Sequence, residues 1–237
     1  MDLASQPVRT GLVVLRWDGP NAEVERAVFG ATDAEILEVA KTGAVGIDAP
    51  FGWPAAFRQL LAGEAPTPWN NDVRDRLSFR KTDFAVREVM GRWPLSVSTD
   101  RIALPALRAQ GLLAALSVTD RSRGRVVEAY PALALRRWGL PFRGYKKPTD
   151  RAVRETIWAG LQTKAPWLRM TDPATLLAHA DVLDALIAAL IAEVAVRGLA
   201  APIPDDPALR QEGWIVIPDE DALARLATSE PGSDTSR

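Results

Sequence analysis

The chain of 237 residues is 47% hydrophobic and 25% charged, which provides enough apolar material for one large globular core or two small ones. A formal net charge of −1 excludes a molecule committed as a whole to polyanions, and the absence of cysteine excludes disulfides and thiolate metal sites. No apolar run reaches the ~18 residues of a membrane span, so the expectation is a cytoplasmic protein in a reducing compartment.

The chain opens on a polar, turn-like stretch in which Asp2 stands ahead of any strand. Gly11 to Trp17 reads as a strand, Asp18-Gly19-Pro20 as a turn and Ala22 to Phe29 as its hairpin partner. Thr32 reads as the N-cap of a short amphipathic helix that reaches about Ala40 and is closed by Gly43. "AVGIDAP" has the apolar, Gly- and Pro-bounded form of a buried central strand, ending at Asp48 because Pro50 cannot continue a ladder. Residues 54 to 116 read as mostly helical and rich in Arg and Trp, with turns at Gly63 to Pro68 and at Pro94, as an insertion between strands would be.

"GRVVEAYP" is again strand-like and again closes on an acid and a proline, Glu128 and Pro131. Residues 149 to 162 read as a helix. Asp172-Pro173 is a helix start, and the helix it opens runs to about Arg197, with Gly198 as its stop. "EGWIVIP" predicts a late strand or strand-like extension, and the last ten residues, "TSEPGSDTSR", predict a disordered tail. No internal repeat is present. The succession predicts an α/β layered domain with a mixed sheet. Charge is uneven along it: from Arg121 to Arg154 there are ten Arg or Lys and two acids, Glu128 and Asp150. Such a stretch is either a polyanion footprint or a solvated surface.

Three acids occupy costly positions. Asp48 terminates an apolar strand, while Asp181 and Asp184 interrupt "TLLAHADVLDALIAALIAEVA", which is otherwise nearly all apolar. A spacing of three puts Asp181 and Asp184 on one helical face. An unpaired carboxylate buried there costs several kcal/mol or is forced to protonate, so an arginine or a metal ion is expected beside it. Acids inside helices are commonly solvated or paired with arginine, and Asp48 alone could be an Asx turn. Together with Asp2, however, the set has the oxygen-donor chemistry that Mg²⁺ or Mn²⁺ requires, and two such ions support in-line hydrolysis of a phosphodiester.

At these residues a resemblance becomes visible. "DVLDAL" is similar to the late-helix motif of the Holliday-junction-resolvase branch of the RNase H-like superfamily. The ordered set "DLASQPVRTG", "GIDAPFGWP", "FRKTD", "VVEAYPAL", "DVLDALIAALIA" and "EGWIVIP" resembles the domain of unknown function 429 family, described as predicted nucleases of RNase H-like fold. The resemblance implies a mixed five-stranded sheet flanked by helices, with a helical insertion at about 54–123 between the fourth and fifth strands. It implies one domain over residues 1–227, followed by the tail 228–237. It also implies Asp2, Asp48, Asp181 and Asp184 as catalytic metal ligands. In that family an apolar strand leads into the first aspartate, so the expectation is that Met1 is an internal start preceded by an apolar segment of roughly five to ten residues.

Four further residues carry expectations. Glu128 corresponds to the family's E-x-x-P glutamate, either near the site or paired with Arg80 to order the insertion. Arg80 and Asp83 match the arginine and aspartate of the family's motif. An arginine fork suits phosphate, although Asp83 with Arg87 also fits a surface i,i+4 pair. Lys146, in "GYKKP", is a candidate for holding a substrate backbone. His179, the single histidine, points about 160° away from Asp181 on a helical wheel, so a packing or surface role is expected in place of general-base work. Trp53 and Trp214 could flank the site, with a core or rim role as the default.

Three functions compete. The first is a metal-dependent nuclease acting on DNA or RNA, possible as a homodimer, in which no protein nucleophile is needed. The second is a non-catalytic binding or regulatory module whose acids form a structural metal or ion-pair cluster. The third is a nucleotide-binding phosphotransfer protein, disfavoured because one unrepeated chain carries no G-x-x-x-x-G-K-[ST] loop. Gathering of the carboxylates of Asp2, Asp48 and either Asp181 or Asp184 within about 6 Å, the reach of a shared cation, separates the first from the second.

Overall fold

The structure is a computed structural model and describes residues 1–64 and 68–229. The turn expected at 63–68 lies partly outside the described residues, as does most of the tail expected at 228–237. β1 (Gly11–Asp18) and β2 (Asn21–Phe29) form the expected hairpin, with a register shift between Val14 and Leu15. Gly19, at φ +56°, supplies the left-handed residue of the turn between them. Helix α1 (Asp33–Val39) is capped as the sequence predicts. The Thr32 side chain accepts from the Glu35 backbone N–H, and the Glu35 carboxylate accepts from the Thr32 N–H.

The strand β3 (Val45–Ile47) pairs in parallel with β4 (Val126–Glu128). Between them in sequence come α2 (Ala55–Leu61), α3 (Asn71–Ser78), α4 (Lys81–Met90) and α5 (Ala103–Ala115), the expected helical insertion. The chain continues through α6 (Pro131–Arg137) and α7 (Arg151–Lys164) to β5 (Leu168–Arg169), a short strand parallel to β2. It closes with α8 (Ala174–Ala178), α9 (Ala180–Val196), α10 (Leu209–Glu212) and α11 (Ala222–Leu226).

The mixed α/β class is as expected, but the single five-stranded sheet is not found. Among the described residues there is a three-stranded sheet in the order β1-β2-β5 and a two-stranded sheet, β3-β4. Only isolated bridges span the gap, with Asp2 antiparallel to Gly11 and parallel to Asp48. Met1 to Leu3 lie at this gap, and their pairing amounts to single bridges in place of a ladder. Beyond them the facing edges of β1 and β3 line a cavity of about 370 Å³. The predicted strand in "EGWIVIP" is likewise reduced to isolated bridges at Ile215 and Pro218.

The helix expected to run unbroken from Pro173 to about Arg197 divides at His179, whose extended backbone (φ −121°, ψ 115°) separates α8 from α9. That break lets α9 turn onto the sheets. Its sequence is apolar on nearly every face, and twelve of its 17 residues are buried. Two glycines admit it: a Cβ on Gly11 would lie 2.1 Å from the Asp181 carbonyl oxygen, and one on Gly46 would lie 1.9 Å from that of Ala188. The helix backbone therefore rests directly on β1 at one point and on β3 at the other. Asp184 falls between the two contacts.

Candidate metal centre

Asp2 is held by backbone bonds on both sides. Its N–H donates to the Gly11 carbonyl at 3.0 Å, and its own carbonyl accepts from the Gly11 N–H at 3.1 Å. The neighbouring Met1 carbonyl accepts from the Asp48 N–H at 2.9 Å, and the buried Met1 amine donates to the Gly46 carbonyl at 2.7 Å. Asp48 follows β3 directly, and α9 delivers Asp184 from the other face of the junction. As a result, Asp2, Asp48 and Asp184 each offer a carboxylate oxygen, all within 4.8 Å of one another. Among the described residues this is the one such group. Asp181, expected as a fourth ligand, lies outside it; half-buried, it lines the adjoining cavity.

Lys146 enters the same cluster. Its Nζ forms an ion pair with Asp184 Oδ2 and lies 4.0 Å from Asp2 Oδ2. The Tyr145 hydroxyl donates to the other Asp184 oxygen at 2.9 Å. Burial, then the repulsion of Asp48 and Asp184, raises the Asp2 pKa well above the usual carboxylate range. Burial likewise pushes Asp48 up to about 7, with Lys146 opposing and Asp184 reinforcing the shift. Asp184 is raised by its complete burial, against the pull of Lys146 and Tyr145. For Lys146 burial opposes the charge, but Asp184, Tyr145, Asp2 and Asp48 outweigh it and the ammonium is held above its ordinary range. One ammonium among three carboxylates leaves negative charge for a cation to balance.

The other predicted residues are placed differently. Arg80 is 2% exposed and does not present its fork to solvent. Its Nε and Nη2 donate to Asp83 at 3.2 and 3.0 Å, and its Nη1 and Nη2 donate to Glu128, both at 2.8 Å. Glu128 also accepts from the Phe51 N–H at 2.9 Å. The trio ties α4 of the insertion to the ends of β3 and β4, which corresponds to the ordering role foreseen for Glu128. It forms one wall of the cavity without offering a free charge. His179 stacks on Phe29, with ring centroids 4.2 Å apart, and Trp214 is buried with Val86 and Met90.

Beside the carboxylates opens a cavity of about 850 Å³, lined by Asp2, Asp48, Asp181 and Lys146 together with the exposed cations Arg9 and Arg101. Sequence reasoning passed over both arginines, since exposed arginines carry no spacing signal. It also passed over Tyr145 and Arg154. The latter is 1% exposed, and its guanidinium donates to the carbonyls of Tyr145, Lys147 and Leu177 at 2.7, 2.8 and 2.7 Å. A signal for it existed: Arg154 shares the buried stripe of α7 with Ile157 and Leu161, where an arginine requires partners.

The fold and site thus define a mixed α/β protein whose carboxylate trio, Asp184 buried and Asp2 and Asp48 partly so, has the donor set of a divalent-cation centre. The chain belongs to the family described as protein of unknown function (DUF429), whose model matches residues 1–209. No curated protein and no solved structure matches the chain.

Proposed function

We propose that the protein is a metal-dependent nuclease that hydrolyses nucleic-acid phosphodiesters, as the family resemblance suggests. The observation that carries the reading is the convergence of Asp2, Asp48 and Asp184 oxygens within 4.8 Å. The donors are all hard oxygens, as Mg²⁺ or Mn²⁺ requires, and Asp48, whose pKa burial raises and the Asp184 charge raises further, is a carboxylate whose ionised form a cation would favour. A bound ion would supply Lewis-acid stabilisation of the phosphoryl oxygens and activation of water. One trio already sharing its space with a lysine supports a single resident ion more readily than two.

The chain's own residues supply the rest. Arg9 and Arg101, exposed on the cavity, bind and orient the phosphate backbone. Tyr145 fixes one oxygen of Asp184, so that the other stays directed into the cluster. Arg80, Asp83 and Glu128 hold the cavity wall in place. A cysteine-free chain suits action in a reducing cytoplasm.

A second reading is favoured by one specific contact. The Lys146–Asp184 ion pair could make the acids a structural cluster in a non-catalytic binding module. A cleavage panel over single-stranded, duplex and branched substrates, with Mg²⁺ or Mn²⁺, separates the two. The nuclease reading expects cleavage of at least one substrate that is lost on chelation and lost in Asp48→Asn. Absence of cleavage across the panel, or cleavage that survives in Asp48→Asn, rejects it in favour of the binding module.

A further inference from the structure

Lys146 combines two properties that rarely coincide. Its backbone is clamped: Arg154, fully inside the protein, donates to the carbonyls of Tyr145 and Lys147, the residues on either side. Its side chain is not clamped, being 55% exposed, although Nζ sits on Asp184. A four-carbon stem with a compact ammonium can swing from such an anchor without moving the chain. The group it would leave is secured independently, because the Tyr145 hydroxyl keeps its hold on the other oxygen of Asp184.

The ammonium and a divalent ion also call on the same carboxylate. Lys146 Nζ occupies Asp184 Oδ2 and lies 4.0 Å from Asp2 Oδ2, and both acids belong to the trio. An ammonium and a divalent ion crowded onto one carboxylate repel each other, so each weakens the other's hold. Outward from the cluster the side chain borders two cavities, the larger one that it lines with Arg9 and Arg101 and a second of about 370 Å³ beside Phe29 and His179; the two exposed arginines make the first the one suited to a phosphate.

Resting on the metal reading above, we propose that Lys146 is a tethered counter-cation that competes with the metal for Asp184. In the metal-free protein the ammonium offsets part of the trio's charge. Entry of the ion displaces it into the cavity, where it joins the two arginines on the substrate phosphate. The site is thereby guarded against adventitious occupancy and gains its third phosphate contact only when loaded. The apparent affinity for metal is reduced by the fraction of molecules in which the lysine holds the site.

Calorimetric titration of the full chain with Mn²⁺ tests this, comparing wild type with Lys146→Met and with Lys147→Met, which removes the same charge one residue away. The expected result is Mn²⁺ binding tightened about tenfold or more in Lys146→Met and little changed in Lys147→Met, as relief of a competing state requires. Lys146→Met should also melt at lower temperature without metal and regain stability with it. A merely structural lysine would give the first melting change without the tighter binding. Lys146→Gln repeats the test should the methionine variant fail to fold. Unchanged or weaker Mn²⁺ binding in the Lys146 variants, with wild type binding, overturns the competition and leaves the metal reading intact. Equal tightening in Lys147→Met overturns it as a general charge effect. If neither wild type nor variant binds Mn²⁺ at millimolar concentration, the metal reading itself falls, and this inference with it.

Discussion

Asp48 is the residue on which the chemistry and the stability of this protein meet. Its pKa of about 7 against an ordinary 3.8 means that the folded chain takes up a proton that the unfolded chain releases. A raised carboxyl pKa contributes stability that is fully present below 3.8 and is lost as pH rises through 7. Asp2 and Asp184 are raised by burial too and act in the same sense. Metal-free protein should therefore lose melting temperature between about pH 4.5 and 6, as scanning calorimetry would show. Asp48→Asn should flatten that slope and raise the metal-free melting temperature near pH 8, since it removes one of three mutually repelling carboxylates. A steeper slope in the variant would place the titration elsewhere.

At the scale of elements, two junctions carry the site. The first is the seat of α9 on β1 and β3, where Gly46 leaves no room for a side chain: a Cβ would stand 1.9 Å from the Ala188 carbonyl oxygen. Backbone on both sides cannot yield as a side chain could, so Gly46→Ala should destabilise by more than about 3 kcal/mol in urea unfolding. If it remains folded, it should bind Mn²⁺ more weakly, because Asp184 moves with the helix. The second junction is the buried Arg80–Asp83–Glu128 trio, which fastens α4 to β4. Arg80→Met would strand two carboxylates among side chains that are 1–2% exposed, and removal of one partner from such a pair costs about 3–5 kcal/mol. Urea midpoints would measure this. A loss below about 1 kcal/mol, the range of surface pairs, would show that water reaches the trio.

For the molecule as a whole, metal binding and folding should be linked, since the trio is assembled from chain positions 2, 48 and 184 and exists only in the folded state. At a concentration of Mn²⁺ 100 times its dissociation constant, the folded state should gain about 2.7 kcal/mol. That corresponds to roughly 5–10 °C in melting temperature for a chain of this size, and Asp48→Asn should abolish the gain. By itself, the sequence determined those features that act over a few residues: the hairpin, the Thr32 cap, the insertion, and the acids that close apolar segments at Asp48 and Glu128. It also grouped Asp2, Asp48, Asp181 and Asp184, three of which do converge, because an acid in an apolar frame demands compensation and the family order supplied the rest. Tertiary structure alone decided the split of the sheet, since ladder pairing depends on how closely strands distant in sequence approach. It alone placed Asp181 outside the trio, turned Arg80 inward and brought Lys146 onto Asp184. Each of these depends on which charges meet across the fold, and a charge in sequence carries no record of the partner that will neutralise it.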